Sequence, residues 1–384
     1  MSRALALMLC AGAALAPGAP ARAADVLSMD EQGLTFEAHD VKLTLGGRVH
    51  VDAVNYEDPQ DDSSTVDFRR ARLDLSGSVG RNFRFRAERE LAHGGGWRNL
   101  WAAYRPAPPV ELRAGNFNVP FSLEELQSSD RIPFLERSLV SSLSPSMGLG
   151  AAASYSGRRW TASAGYFGDA LGTDPEASQS RGEGWVARVT ALPISEGDRF
   201  VHVGGALERR TFDPGDTARF RAGPGAAFTP RLLSTGTLRN PDSLASLGGE
   251  AAVSMGRVLL QGQYVTTRLS RDDAPSLRLD AWYAQAGWLV VGRRYGYSAR
   301  SGAPSGPQLR RNPAVELAAR YSRADFNDGA FSRGVGETVT IGANLYISPN
   351  VRLMADYIHA ETHDFGRRDD ESADIAAVRA QISY

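Results

Sequence analysis

Two neighbouring stretches carry a charged side chain at every second position: Arg70, Arg72 and Asp74, then Arg84, Arg86, Glu88 and Glu90. Between them stand Leu73, Leu75, Phe83 and Phe85. Extended backbone sends successive side chains to opposite faces, so each stretch turns its charges one way and its oily groups the other. Arg48, His50 and Asp52 repeat the pattern upstream, and Glu111 and Arg113 repeat it downstream. Guanidinium groups about 7 Å apart along a strand form a ladder for oxyanions, which they grip through charge-assisted, two-pronged hydrogen bonds. They keep their charge in any environment. Of the 43 basic residues 42 are arginine, and Lys42 is the one lysine. Codon usage raises arginine everywhere, and any polar wall pairs arginines with acids. The concentration of Arg48, Arg69, Arg70, Arg72, Arg84 and Arg86 on three consecutive stretches argues for anion chemistry beyond both.

Other chemistries find little support. His359, Glu361 and His363 share one face of a strand, but near a loop end they read as a solvated rim cluster, not a metal site. Gly148-Leu149-Gly150 mimics a dinucleotide fingerprint, yet it opens a strand instead of joining a strand to a helix. The acidic run from Glu57 to Asp62 reads as a solvated loop, with ion bridging to lipopolysaccharide a minor option. No serine and histidine are brought together by alternation, as a hydrolase wall site would need. The expectation is therefore a chain that is not an enzyme, with no catalytic residue, metal, cofactor or nucleic-acid partner.

These charges need an element that holds one face in water and the other in oil. Arg3, the apolar run Ala4 to Ala16 and the small-residue site Ala21-Arg22-Ala23 read as a cleaved secretory signal over residues 1–23. Cys10, the only cysteine, lies within that run behind Leu9, which argues against lipidation. The mature chain then has neither disulfide nor thiolate chemistry. After a short periplasmic segment 24–40, residues 41–384 break into alternating stretches of roughly nine to thirteen residues, the length of a tilted strand that crosses a bilayer. Sixteen begin near positions 41, 66, 82, 97, 110, 148, 159, 183, 199, 246, 258, 277, 314, 338, 350 and 374. In the last, Ala376, Val378, Ala380, Ile382 and Tyr384 oppose Arg379, Gln381 and Ser383. Tight turns such as Gly80-Arg81 and Ser348-Pro349-Asn350 alternate with longer polar connections at 57–63, 118–147, 169–182, 213–245, 326–337 and 361–373. The connections 93–96 and 293–313 depart from that rhythm. The fold class expected is all-β: a sixteen-stranded antiparallel transmembrane β-barrel of the outer membrane, facing lipid and lipopolysaccharide, with a lumen too wide for side chains to fill.

Gly47-Arg48-Val49-His50-Val51-Asp52, Phe68-Arg69-Arg70-Ala71, Ser128-Ser129-Asp130 and Leu135-Glu136-Arg137-Ser138-Leu139 resemble the phosphate-selective porin O/P family over essentially the whole mature chain. The resemblance implies a homotrimer of sixteen-stranded barrels. It also implies that an inward-folded third loop, with another long loop, narrows each pore to an arginine-lined constriction for phosphate or polyphosphate. Carried over by position, it assigns Arg48, Arg69, Arg70 and Arg137 to the anion site. Arg219 and Arg221, in an Arg-Phe-Arg element of loop 213–245, and Arg231 behind them match the family's basic segment. Alternation alone sends Arg69 to the lipid face, so its place in the site requires a bulge or a strand end there. Arg72 stands where some members have an aromatic residue, and the family's lysines are missing, which makes anion preference a firmer expectation than phosphate selectivity. A general or carboxylate-taking diffusion porin is the competing reading.

Overall fold

The structure is a computed structural model that describes residues 26–30, 33–59, 62–172, 181–309, 313–364 and 371–384. The signal-like residues 1–23 lie outside the described residues, as do parts of the connections 57–63, 169–182, 293–313 and 361–373. The barrel strands are β1 Val41–Glu57, β2 Asp62–Val79, β3 Phe83–Glu90, β4 Gly96–Ala107, β5 Val110–Asn118, β6 Met147–Ser156, β7 Trp160–Gly168 and β8 Glu183–Glu196. They continue with β9 Arg199–Thr211, β10 Pro241–Met255, β11 Val258–Arg271, β12 Leu277–Val291, β13 Ala314–Asp325, β14 Val335–Tyr346, β15 Val351–His363 and β16 Glu371–Ser383. Each pairs antiparallel with its chain neighbour, and β16 returns to β1 with Asp374–Ser383 against Arg48–Glu57. Closure removes the open edge that hydrocarbon would not tolerate. At the seam the terminal aromatic is locked in place: Tyr384 N donates to Gly47 O (2.8 Å) and Gly47 N to Tyr384 O (3.0 Å).

Every strand starts within five residues of its expected position. The larger offsets fall where β2, β10, β14 and β16 gain residues at one end, and three of the added pieces are polar: Asp62-Ser63-Ser64, Pro241-Asp242-Ser243 and Glu371-Ser372. A strand that outruns the oily band no longer needs to alternate. Within the band the two faces separate cleanly. Leu73, Ile341 and Val378 stay more than half exposed (54%, 60% and 52%), while His50, Thr340 and Arg379 opposite are buried. An apolar outer band is the face that a membrane-spanning barrel turns to the bilayer.

Three connections lie against the other face. Segment 119–146 holds a short helix, Leu123–Leu126, and a 3₁₀ turn, Leu139–Ser142. Arg379 donates to Leu135 O (2.6 Å), Arg352 to Ile132 O (2.8 Å), and Leu135 N donates to Asp356 (2.8 Å). In 213–240, Thr217–Ala218 pairs with Leu238–Arg239 and Arg221–Ala222 with Leu233–Ser234. The long connection 292–313 contains the hairpin Tyr295–Ser298 with Ala303–Pro307. Arg188 donates to its Ser301 O (2.8 Å) and Gly302 O (2.7 Å), and Tyr295 donates to Glu316 (2.7 Å).

This packing departs from the expectation that the face opposite lipid meets only water. On β11 and β12, Val265, Leu269, Leu277 and Leu279 point inward and join Phe121, Leu139, Val140 and Leu143 of one loop and Phe220, Leu233 and Leu238 of the other. Each such side chain contributes about 1.5–3 kcal/mol on burial, enough in sum to hold both loops down. Here the wall is apolar on both sides. Open space is left along β2 to β5, the arginine-rich wall. Ahead of the barrel, within 24–40, Val26–Asp30 and Gly33–Ala38 form a hairpin whose second strand continues onto Val41–Leu45 of β1.

Candidate functional site

The β1–β2 ladder pairs His50 with Arg70 and then Val51 with Phe68, leaving Arg69 as the extra residue of a bulge. A bulge re-aims the side chains beside it. Arg69 therefore reaches the lumen side, where Nε and Nη2 donate to both oxygens of Glu136 (2.7 and 3.0 Å). Arg70, buried, contacts the same carboxylate (3.4 Å) and His50 Nδ1 (3.3 Å). Two residues on, Arg72 Nε donates to Glu90 (2.7 Å) and its Nη1 lies 3.4 Å from Glu88. Arg48 binds Asp130 of segment 119–146 (2.8 Å) and approaches Glu88 (3.6 Å).

These residues surround a cavity of about 700 Å³. Its lining includes six arginines, Arg69, Arg70, Arg72, Arg98, Arg137 and Arg231, against three glutamates, Glu90, Glu125 and Glu136, a surplus of three positive charges. Ser141, Ser144 and Ser146 of one loop and the stretch from Gly223 to Arg231 of the other complete its walls. A second cavity, of about 480 Å³, is lined by Arg86, Arg105, Arg113, Arg188 and Arg300, with Glu111 its acid. Glu88 stands between the two sets, approached by Arg48, Arg72 and Arg86 and by the amide of Asn99.

The sequence-predicted residues thus divide. Arg69, Arg70, Arg72, Arg137 and Arg231 share the first cavity, and Arg86 and Arg113 line the second. Arg48 braces segment 119–146 beside the divide, and Arg84 lies outside both linings. Arg137 mainly ties its own loop together, donating to Glu124 O (3.0 Å) and Gln127 O (3.1 Å), with Glu125 at 3.5 Å. Arg219 is half-buried and donates to Thr237, and Arg221 sits in the short ladder opposite Ser234; neither joins the cavity. Sequence reasoning missed Arg98, Arg105, Arg188 and Arg300. For Arg98 a signal existed, because Trp97-Arg98-Asn99-Leu100 interrupts alternation as Phe68-Arg69-Arg70-Ala71 does.

The loop carboxylates respond to these surroundings. Burial raises the Glu136 carboxyl, but Arg69, Arg70 and Arg379 outweigh it and hold the group well below the usual range. Asp130 is likewise held low, burial being outweighed by the His50 hydrogen bond and by Arg48. Glu125 moves the other way, pushed up by burial against the pull of Arg137. His359 pairs with Asp374 (2.8 Å) and Glu361 (3.0 Å). Among the described residues no group of histidines and acids is arranged to hold a metal ion, and no helix is long and apolar enough to cross a membrane, which says nothing of strands.

Comparison with known proteins gives this architecture its relatives. Porin O of Pseudomonas aeruginosa is 25% identical over 94% of this chain and 93% of its own length. An anion-selective porin from Comamonas acidovorans superposes with a TM-score of 0.57 at 15% identity, covering 89% of this chain and 100% of that one. OmpT of Vibrio cholerae, in a trimer form, gives 0.57 at 12% identity over 90% of this chain and 100% of its own. At such identities these structures speak for the fold alone. The model of the family "Phosphate-selective porin O and P" matches residues 43–384, and the chain belongs to that family, as a channel-forming porin of the outer membrane.

Proposed function

We propose that this porin passes anions, phosphate or polyphosphate foremost, by passive diffusion along the arginine-rich wall. The observation that carries the reading is the first cavity, with six arginines facing three glutamates. Segment 119–146 and the Gly223–Arg231 stretch fold against the lumen side and narrow the route to that wall. A narrow, low-dielectric passage focuses the guanidinium field and replaces lost hydration with charge-assisted hydrogen bonds. A guanidinium paired with a carboxylate still has N–H donors to spare, since it carries five. The glutamates keep binding weak enough for release. The second cavity, again rich in arginine, offers the next resting place.

The same reading takes residues 1–23 as a cleaved export signal, lipid and lipopolysaccharide as the surroundings, and a homotrimer as the assembly; the trimer form of the Vibrio cholerae relative supports the last. A second reading, a general or carboxylate-taking porin, draws on the pairing of Arg69, Arg72, Arg86 and Arg113 with acids, which weakens the field each projects. The purified protein in planar bilayers separates the two. Chloride current titrated with phosphate, pyrophosphate and a dicarboxylate should be blocked by micromolar to millimolar phosphate. No block at all would leave the general porin standing.

A further inference from the structure

We propose that Arg98 is a direct anion ligand of the first cavity, presented by a β-bulge that Asn116 pins. The inference rests on the anion-channel reading and names a residue that alternation hides. Counting back from Leu100, Ala102 and Tyr104, all exposed on the lipid side, places Arg98 in hydrocarbon. A charged group there costs about 2–4 kcal/mol near the bilayer midplane. The β3–β4 ladder avoids that cost. It pairs Ala87 with Leu100 and then Arg89 with Trp97, so Glu88 faces both Arg98 and Asn99. Trp97 turns outward beneath Arg89, whose guanidinium carbon lies 5.4 Å from the ring centre. Asn99 donates to Glu88, and Arg98 turns into the cavity.

A bulge leaves backbone groups outside the ladder, and buried ones need another partner. Asn116, fully buried on β5, supplies it by donating to Arg98 O (2.6 Å) and approaching Trp97 O (3.4 Å). Its own Oδ1 accepts from Leu171 N (2.9 Å), which fixes the amide's orientation. The bulge is therefore braced from the next strand. Arg69, Arg72 and Arg137 spend donors on Glu136, Glu90 and their own loop. Arg98 makes no ion pair and no side-chain hydrogen bond with the described residues, which leaves its fork to water or an anion. Among the cavity's arginines only Arg231 shares that freedom within the described chain, and it is the more exposed.

The test is phosphate block of chloride current in planar bilayers. Losing one charge-assisted contact should raise the half-blocking phosphate concentration about tenfold in Arg98→Gln. Arg98→Lys, which keeps the charge but loses the fork, should fall between. Arg89→Gln removes the same charge from the opposite face of the bulge and should leave block unchanged. Asn116→Leu should weaken block in the native channel and add nothing on top of Arg98→Gln, because a positioning residue acts only through the one it positions. Additive losses would overturn the role of Asn116. Native block with equal block in Arg98→Gln would overturn the role of Arg98 alone, whereas absence of block in the native channel would overturn the anion-channel reading beneath both. Heat-modifiable gel mobility, compared across variants, identifies any that fails to form a barrel, and Arg98→Lys then carries the test.

Discussion

Arg379 is the anchor whose loss should be felt most. Its side chain is inaccessible to solvent, and it donates to both oxygens of Asp52 (2.6 and 2.7 Å), to Leu135 O (2.6 Å) and to Glu136 (3.0 Å). Arg379→Gln removes the cation paired with Asp52 and one of the three beside Glu136, and it cuts two ties between β16 and segment 119–146. Breaking a buried pair by removing one partner costs about 3–5 kcal/mol. The polar ties that remain include Arg48 to Asp130, Arg69 to Glu136, Arg352 to Asp130 O and Ile132 O, Arg320 to Glu136 O and Glu124, and Asp356 to Leu135 N, with each hydrogen bond worth about 1–3 kcal/mol. The apolar contacts of Phe121, Leu139 and Leu143 keep the far end of the segment in place, so the middle should loosen while the barrel survives. Single-channel recording should then show larger, noisier openings and weaker phosphate block. Adding Asp52→Asn should recover part of the loss, because it removes one stranded charge. Unchanged conductance and block in Arg379→Gln would refute the view that this arginine holds the constriction together.

Three further outcomes follow from the same contacts. Glu90→Gln releases Arg72 from its 2.7 Å partner and raises the cavity's surplus from three charges to four; phosphate should block at several-fold lower concentration, and weaker block would contradict this. In pH titrations with sulfate as blocker, Asp130 and Glu136 are held low in the folded channel, so the stability they lend is present above the ordinary carboxylate range and lost only as pH falls below it. Unit conductance should therefore hold from neutrality down to about pH 4, near the ordinary carboxylate range. Glu125, held high, should take up its proton first and strengthen sulfate block over the same interval; a conductance jump near pH 5, or block that weakens with acid, would go against these assignments. Gly302 has φ +57, and a Cβ there would meet the Thr161 and Thr190 hydroxyls at 2.6 and 2.7 Å. Gly302→Val should dislodge the 295–307 hairpin and raise single-channel conductance, and an unaltered conductance would show that the hairpin does not limit flow.

Most of the barrel was legible because a wall between oil and water imposes a period of two on every crossing strand. Leu353, Ala355 and Tyr357 against Arg352 and Asp356 leave no other reading, and the same rule placed Arg70, Arg72, Glu111 and Arg113 on the correct side. What alternation could not supply lies where the period breaks. Arg69 and Arg98 face inward only because a register skip on each strand reverses the count. In both places two polar residues stand between an aromatic and an apolar one. The inward apolar residues Leu269 and Leu277 were unreadable for another reason: what covers them comes from the two loops 119–146 and 213–240, and periodicity carries no information on that contact. The division of the arginines between two cavities has the same origin.

The proposed anion channel rests on the arginines along β2 to β5, and the zero-current potential across a KCl gradient tests it most directly. The expected potential has the sign set by chloride and moves toward zero when phosphate at blocking concentration occupies the cavity. A potential with the sign set by potassium, or no potential at all, would contradict it.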